Sequence, residues 1–258
     1  MSATTATGTR PAHGAPTDMP VMRIDDLERS SIDHILTTTR AVRRRLDLDR
    51  DVEIEVVHEC LEIALQAPTG FNEQNWRWLV ITDPDTRRAL GEVVRRIELP
   101  FLDLMEANIP SDDTQTRRVA ASSRYLADHL AEVPVHVIPC TVQPVARVRE
   151  LFDELGYDTD LWNMAASAVY GELWPAAWSF MLALRSRGLG SSLTMIHLGA
   201  EPEVADLLGI PADVSQAGLI PVAHFLGEDF RPARRRPRHE VTYHDRWGRH
   251  HGWRSDGS

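Results

Sequence analysis

The stretch Ala67-Pro68-Thr69-Gly70-Phe71-Asn72-Glu73-Gln74-Asn75-Trp76 stands between two strongly patterned segments. Before it, from Val52 to Gln66, the apolar residues at 52, 56, 57, 60, 61, 64 and 65 form one stripe. That spacing predicts a helix with one buried stripe. Pro68 and Gly70 stop it. After it, Trp76 to Thr82 carries Trp78, Leu79, Val80 and Ile81 in a nearly continuous apolar run, the pattern of a fully buried strand. The turn between them can face a ligand. Gly70 permits close approach to the backbone. Thr69 brings a hydroxyl, and Asn72 and Gln74 offer donors and acceptors together, as a ring with imide and amine edges requires. The same turn also reads as a plain helix terminator, and Trp76 suits a core position either way.

Working outward, Ile24 to Thr39 reads as a helix, followed by Arg40-Ala41-Val42-Arg43-Arg44-Arg45. Clustered Arg can hold a phosphate in bidentate fashion, though the run reads equally as a solvated charged surface. Asp83-Pro84 is an N-cap and first-turn pair that opens a helix to about Ile97. Leu99 to Asp113 is expected to be irregular, a loop or lid. Thr114 to Glu132 reads as helix and Val133 to Ile138 as a short strand; residues 141–162 carry no clear period. Asn163 to Arg187 is an apolar, buried helix, ended by Gly188-Leu189-Gly190. A short strand over Thr194 to Leu198, a helix over Glu201 to Leu208 and a strand over Gln216 to Leu226 complete a central sheet flanked by helices. The expected boundaries are a disordered leader over 1–22, one domain over 23–247 and a polar tail over 248–258.

The 258 residues carry net charge −10 and 43% hydrophobic residues, which suits one sizeable domain and excludes a wholly disordered chain. The longest nearly apolar run, Pro175 to Leu184, is too short to span a bilayer. No apolar segment marks a signal peptide. Only Cys60 and Cys140 occur, so a disulfide framework is not expected and a cytoplasmic setting is. All 28 basic residues are Arg, which excludes lysine Schiff-base chemistry and a Walker A loop. From Arg231 to Arg254 the chain carries a net +6, leaving −16 on the rest. An acidic body with one basic segment argues against nucleic acid as partner. It fits a segment that wraps a surface or grips a phosphate, or a solvated tail.

No His-Glu-x-x-His, Gly-x-Ser-x-Gly or Cys-x-x-Cys pattern is present. Gly188-Leu-Gly190-Ser-Ser-Leu193 lacks the third Gly of a dinucleotide fingerprint and follows a helix, where that fingerprint follows a strand. His239, His244, His250 and His251 lie in a polar stretch and read as solvated, so no metal is expected. Cys60 lies on an apolar stripe and reads as core.

In this order, Arg40-Ala-Val-Arg43, Ala67-Pro-Thr-Gly-Phe-Asn-Glu-Gln-Asn-Trp76, Gly188-Leu-Gly-Ser-Ser192, Leu208-Gly-Ile-Pro211 and Arg234-Arg-Arg-Pro237 resemble the nitroreductase family of FMN-dependent oxidoreductases. The resemblance covers roughly residues 30–247. It implies an α+β fold with a mostly antiparallel sheet, and an intertwined homodimer with FMN at the subunit interface. Arg40, Ala41 and Arg43 would lie near the ribityl phosphate and pyrimidine side. Pro68, Thr69, Gly70 and Asn72 would line the flavin, some of them from the partner. Leu193, Thr194 and Met195 would pack near its reactive edge, and Arg235, with Arg234, would hold the phosphate. Ala41 replaces the family's Ser, Thr69 replaces a Ser, and Asn75 replaces the Pro before Trp76. With no Lys present, the resemblance implies that Arg40 or Arg43 would supply the positive charge that some members place near the flavin.

The implied activity passes a hydride from NADH or NADPH through flavin N5 to a nitroaromatic, quinone or similar acceptor, by ping-pong turnover with no catalytic side chain. A reductive dehalogenase, a flavin-fragmenting enzyme and a non-catalytic flavin-storage protein are the alternatives on the same fold.

Overall fold

The computed structural model describes residues 28–156 and 160–249. The expected leader and most of the tail, with His250 and His251, lie outside the described residues, as do residues 24–27 of the first expected helix.

The elements run α1 (Arg29–Thr38), α2 (Ile54–Ala64), β1 (Trp76–Ile81), α3 (Pro84–Ala107), α4 (Thr114–His129), β2 (Val135–Thr141), α5 (Val145–Asp153), α6 (Trp162–Ser186), β3 (Leu189–Ser191), α7 (Glu201–Leu208), β4 (Ser215–Gln216), β5 (Ile220–His224) and α8 (Arg238–Val241). The sheet order is β1-β2-β5-β3, with β4 also on β2, and every strand pair is antiparallel. The architecture is therefore α+β with an antiparallel sheet, as expected.

Strand alternation explains the continuous apolar runs. Val135 and Val137 of β2, with Ile220 and Val222 of β5, pack on Val57, Cys60, Ala177, Phe180 and Leu184 of α2 and α6. Ile138 and Cys140, with Ala223, pack on Leu90, Val94, Leu126 and Leu130 beneath α3 and α4. In β1, Trp78 and Val80 face the first cluster while Leu79 and Ile81 face the second. A sheet covered on both faces needs apolar residues at every position.

Four local expectations are corrected. First, the segment from Leu99 is not a loop: α3 continues through Pro100 to Ala107. A proline inside a helix costs about 3 kcal/mol. Here Pro100 is exposed, and the far turns are held by buried Leu102 and by Arg124 of α4, which pairs with Asp103 at 2.7 Å and Glu106 at 3.0 Å. Second, β2 runs on to Thr141. Pro139, which has no N–H, falls between the stretches of β2 paired to β5 and to β4. Third, Thr194 to Leu198 is not a strand. Thr194 makes a single bridge to Leu219, and Ile196–Ala200 is a 3₁₀ turn. Fourth, the strand expected over 216–226 is divided around Gly218, where a Cβ would stand 2.8 Å from Leu193 Cδ1. Residues 145–153, without a clear period in sequence, form α5.

Candidate functional site

α1 ends at Thr38, and the chain then lies along the sheet edge at β3. Ala41 bridges Ser191 in parallel, and Val42 N–H donates to the Ser191 carbonyl at 2.8 Å. The fit is close because position 190 is Gly: a Cβ there would stand 3.1 Å from both Val42 Cβ and Cγ1. Arg40 Nη2 donates to the Arg231 carbonyl, which brings the start of the Arg-rich stretch to this corner. Arg234 and Arg235 are exposed, and Arg235 Nη1 donates to the Arg234 carbonyl at 3.1 Å. Arg40 to Arg43, the segment after Gly188 and the Arg231 backbone therefore meet in one place, while among the described residues Arg234 and Arg235 make no hydrogen bond with it.

Two buried polar atoms flank the Ala41–Ser191 bridge without a hydrogen-bond partner: Arg40 Nε and Ser192 Oγ. Buried polar atoms are rarely left unmet, so these two hold hydrogen-bonding capacity that no neighbouring side chain uses. The donor set suits a phosphorylated, hydrogen-bonding ligand. Past Ser192, Leu193 lies against Gly218 and Trp174, Thr194 pairs with Leu219, and Met195 is half exposed. Buried His197 follows, with no partner on either ring nitrogen; burial pushes its pKa down to about 4, so it is neutral at pH 7.

Arg43 and Glu98 of α3 lie near enough to interact electrostatically, without an ion-pair contact. Burial lowers the Arg43 pKa, and Glu98 opposes that shift. Glu98 is 8% exposed, and burial pushes its carboxyl up from the ordinary 4.5 to about 7, against the pull of Arg43. The composition analysis did not single out Glu98, although a signal was readable: Leu90, Val94, Glu98 and Leu102 fall at four-residue steps on the buried face of α3. A carboxyl with a raised folded-state pKa stabilises the fold most below its unfolded value of 4.5. That contribution is lost as pH rises through about 7. Glu98→Gln is therefore expected to gain on the natural chain by roughly 2 kcal/mol between about pH 5 and pH 8, read as the difference in urea unfolding.

The turn from Ala67 to Trp76 is a second centre. Gly70 N–H donates to Glu172 Oε1 of α6 at 2.8 Å, and a Cβ on Gly70 would meet that oxygen at 2.6 Å. Glu172, another residue the sequence reading passed over, pins the turn; burial raises its pKa, while the Gly70 bond lowers it. Thr69 Oγ1 accepts from Gln74 N–H at 3.3 Å, and Gln74 Nε2 donates to Asn72 Oδ1 at 2.9 Å. Asn75 Nδ2 donates to Gln143 Oε1 at 2.9 Å. Phe71, Asn72 and Gln74 have φ of 50°, 55° and 54°. Left-handed backbone at non-glycine residues costs about 1–2 kcal/mol each and concentrates where function holds it. Phe71 itself is 96% exposed, and Pro68 is exposed beside it.

The two centres meet α6 at different levels, the turn near its middle and the corner toward its C-terminal end. Glu172 holds the turn, and Arg185, thirteen residues on, touches Asp229 beside the corner. At the rise of an α-helix this is about 20 Å. Among the described residues, hydrogen bonds of the turn run to Glu172, Val142, Gln143 and within the turn itself, and none reaches Arg40 to Arg43 or Ser191. Among those residues, no three His, Cys, Asp or Glu side chains gather as a metal site, and no helix is long and apolar enough to cross a membrane.

An antiparallel sheet between two helical layers defines an α+β protein. The chain belongs to the nitroreductase family, whose model matches residues 36–224. It is 23% identical over 174 residues to iodotyrosine deiodinase of Drosophila melanogaster, covering 67% of this chain but only 55% of that protein. It is 28% identical over 200 residues to an NADH dehydrogenase of Thermus thermophilus, covering 72% of this chain and 83% of that one. The structure of an iodotyrosine deiodinase bound to FMN and 3-iodo-L-tyrosine superposes with TM-score 0.57 at 21% identity, over 82% of this chain and 97% of that chain.

Proposed function

We propose that the chain is an FMN-dependent NAD(P)H oxidoreductase whose sites are built by two copies of the chain. The observation that carries this reading is that the turn fastens near the middle of α6, while the segment that leads to Arg231 fastens at its C-terminal end. In a two-fold dimer, the corner of one copy and the turn of the other can face a single flavin. Apolar side chains left exposed on α1 (Ile32, Leu36) and α6 (Trp162, Met164, Trp178) offer a second copy a face to cover. Bound FMN supplies the hydride chemistry, accepting from NADH or NADPH and delivering to a conjugated acceptor.

The chain's own part is to bind, orient and tune. Arg40, with the exposed Arg234 and Arg235, would hold the phosphate. Arg40 and Arg43 would supply positive charge on the pyrimidine side, and Ala41 leaves room where the family carries a hydroxyl. Pro68, Thr69, Gly70 and Asn72 of the partner copy would line the ring, and Leu193, Thr194 and Met195 its reactive edge. No side chain acts as nucleophile. The purified protein is expected to show flavin absorbance that bleaches anaerobically with NADH or NADPH, and its steady-state plots are expected to be parallel. Failure to bind added FMN, or intersecting plots with a ternary complex, contradicts the reading.

A second reading, reductive dehalogenation, is favoured by the deiodinase similarity alone. Halide release from a halogenated phenol under reducing conditions separates it from nitro or quinone reduction.

A further inference from the structure

The family match ends at residue 224, yet the chain continues through a tightly fastened segment before it reaches the Arg-rich stretch. Leu226 N–H donates to the Arg45 carbonyl at 2.7 Å, and Arg45 Nε donates back to the Leu226 carbonyl at 2.6 Å. Arg45 Nη2 reaches the Glu228 carbonyl. Phe225 and Phe230 pack with ring centroids 5.1 Å apart. Two guanidiniums lie on that pair: Arg45 is 4.3 Å from the Phe230 centroid and Arg185 is 5.0 Å from that of Phe225. Like charges so placed repel, and the Arg185 side chain is only 8% exposed.

Asp229 answers that charge. Its Oδ1 accepts from Arg185 Nη2 and from Phe230 N–H, the latter at 2.6 Å. Its Oδ2 lies 2.6 Å from His34 Nε2 on α1. Two residues on, the Arg231 carbonyl accepts from Arg40. Pro232 and Pro237 then bracket Arg234 to Arg236 and restrict the backbone between them.

We propose that Asp229 is a positioning residue: by tying α1 and α6 to one turn, it sets where Arg234 and Arg235 stand relative to Arg40, and so builds the phosphate grip. The inference rests on the reading above, in which those arginines hold the phosphate. Removing the carboxylate leaves Arg185 buried without its counter-charge and frees the turn.

The test uses full-length protein stripped of flavin and titrated with FMN and, separately, with riboflavin, which lacks the phosphate. In Asp229→Asn, FMN affinity is expected to fall roughly tenfold or more while riboflavin affinity changes less than about twofold. A merely structural role lowers both together. Should Asp229→Asn fail to fold, the pair Arg185→Met/Asp229→Asn removes both charges. With the buried guanidinium removed together with its half-exposed partner charge, no buried charge is left unpaired, so this variant is expected to fold and still lack the FMN preference. Arg234→Gln/Arg235→Gln serves as the reference. If it loses the preference and the folded Asp229 variants keep it, the positioning role is overturned while the phosphate assignment stands. If all keep it, the phosphate assignment fails and the positioning role falls with it.

Discussion

Gly190→Val is expected to destabilise the chain by about 3 kcal/mol and to abolish flavin binding together with it. Gly190 is buried in the middle of β3, paired with Ala223, and its open side is filled by Val42 and Leu46. A single Cβ there would stand 3.1 Å from Val42 and 3.3 Å from Leu46, before the two further carbons of Val are added. Val42 is 3% exposed and Leu46 2%, so neither has space to retreat. The relief available is to lift the 40–46 segment off β3. That movement breaks the Val42-to-Ser191 hydrogen bond and carries Arg40 away from the Arg231 carbonyl. Stability and ligand binding are thus lost through one displacement. Gly190→Ala, with one carbon instead of three, is expected to cost about 1 kcal/mol and to weaken binding only in part. Urea unfolding and flavin titration of both variants check the pair. Natural stability in Gly190→Val removes the argument that this close approach builds the corner.

How much of this was legible in sequence depends on how local each signal is. The stripe from Val52 to Gln66 became α2, and the two-faced run after Trp76 became β1, because periodicity records burial directly. The far half of α3 was not legible. Local rules stop a helix near Pro100, and only the packing of Leu102 and the ties to Arg124 outvote them. Likewise β3 owes its place to pairing with β5, a contact between residues more than thirty positions apart.

The site divides in the same way. Arg40, Arg43 and the Pro68-to-Asn72 turn were open to a ligand-binding reading by residue type, and the order of motifs in the family resemblance singled them out together with Ala41. Glu172 is a lone carboxylate in an apolar helix, and Asp229 follows another acidic residue, Glu228. What distinguishes them is the partner each finds, Gly70 in one case and Arg185 in the other. Ser192 and His197 became notable only through burial without a partner. The run of left-handed backbone at Phe71, Asn72 and Gln74 has no strong marker in residue type, since only Asn commonly tolerates it.

The central claim is that each site takes its corner from one copy and its turn from the other, and mixing two disabled chains tests it directly. One chain carries Arg40→Gln, which damages the corner. The other carries Thr69→Ala/Asn72→Ala, which damages the turn. Each alone is expected to show little flavin binding or NAD(P)H-driven turnover, because every site in either homodimer holds a lesion. After unfolding and refolding together at equal amounts, about half the dimers contain one chain of each kind. In those, one site gathers both lesions and the other is wholly natural, so about a quarter of natural activity returns. Recovery near that level is the predicted result. No recovery, with mixed dimers shown to have formed, means that each chain carries its whole site and contradicts the account.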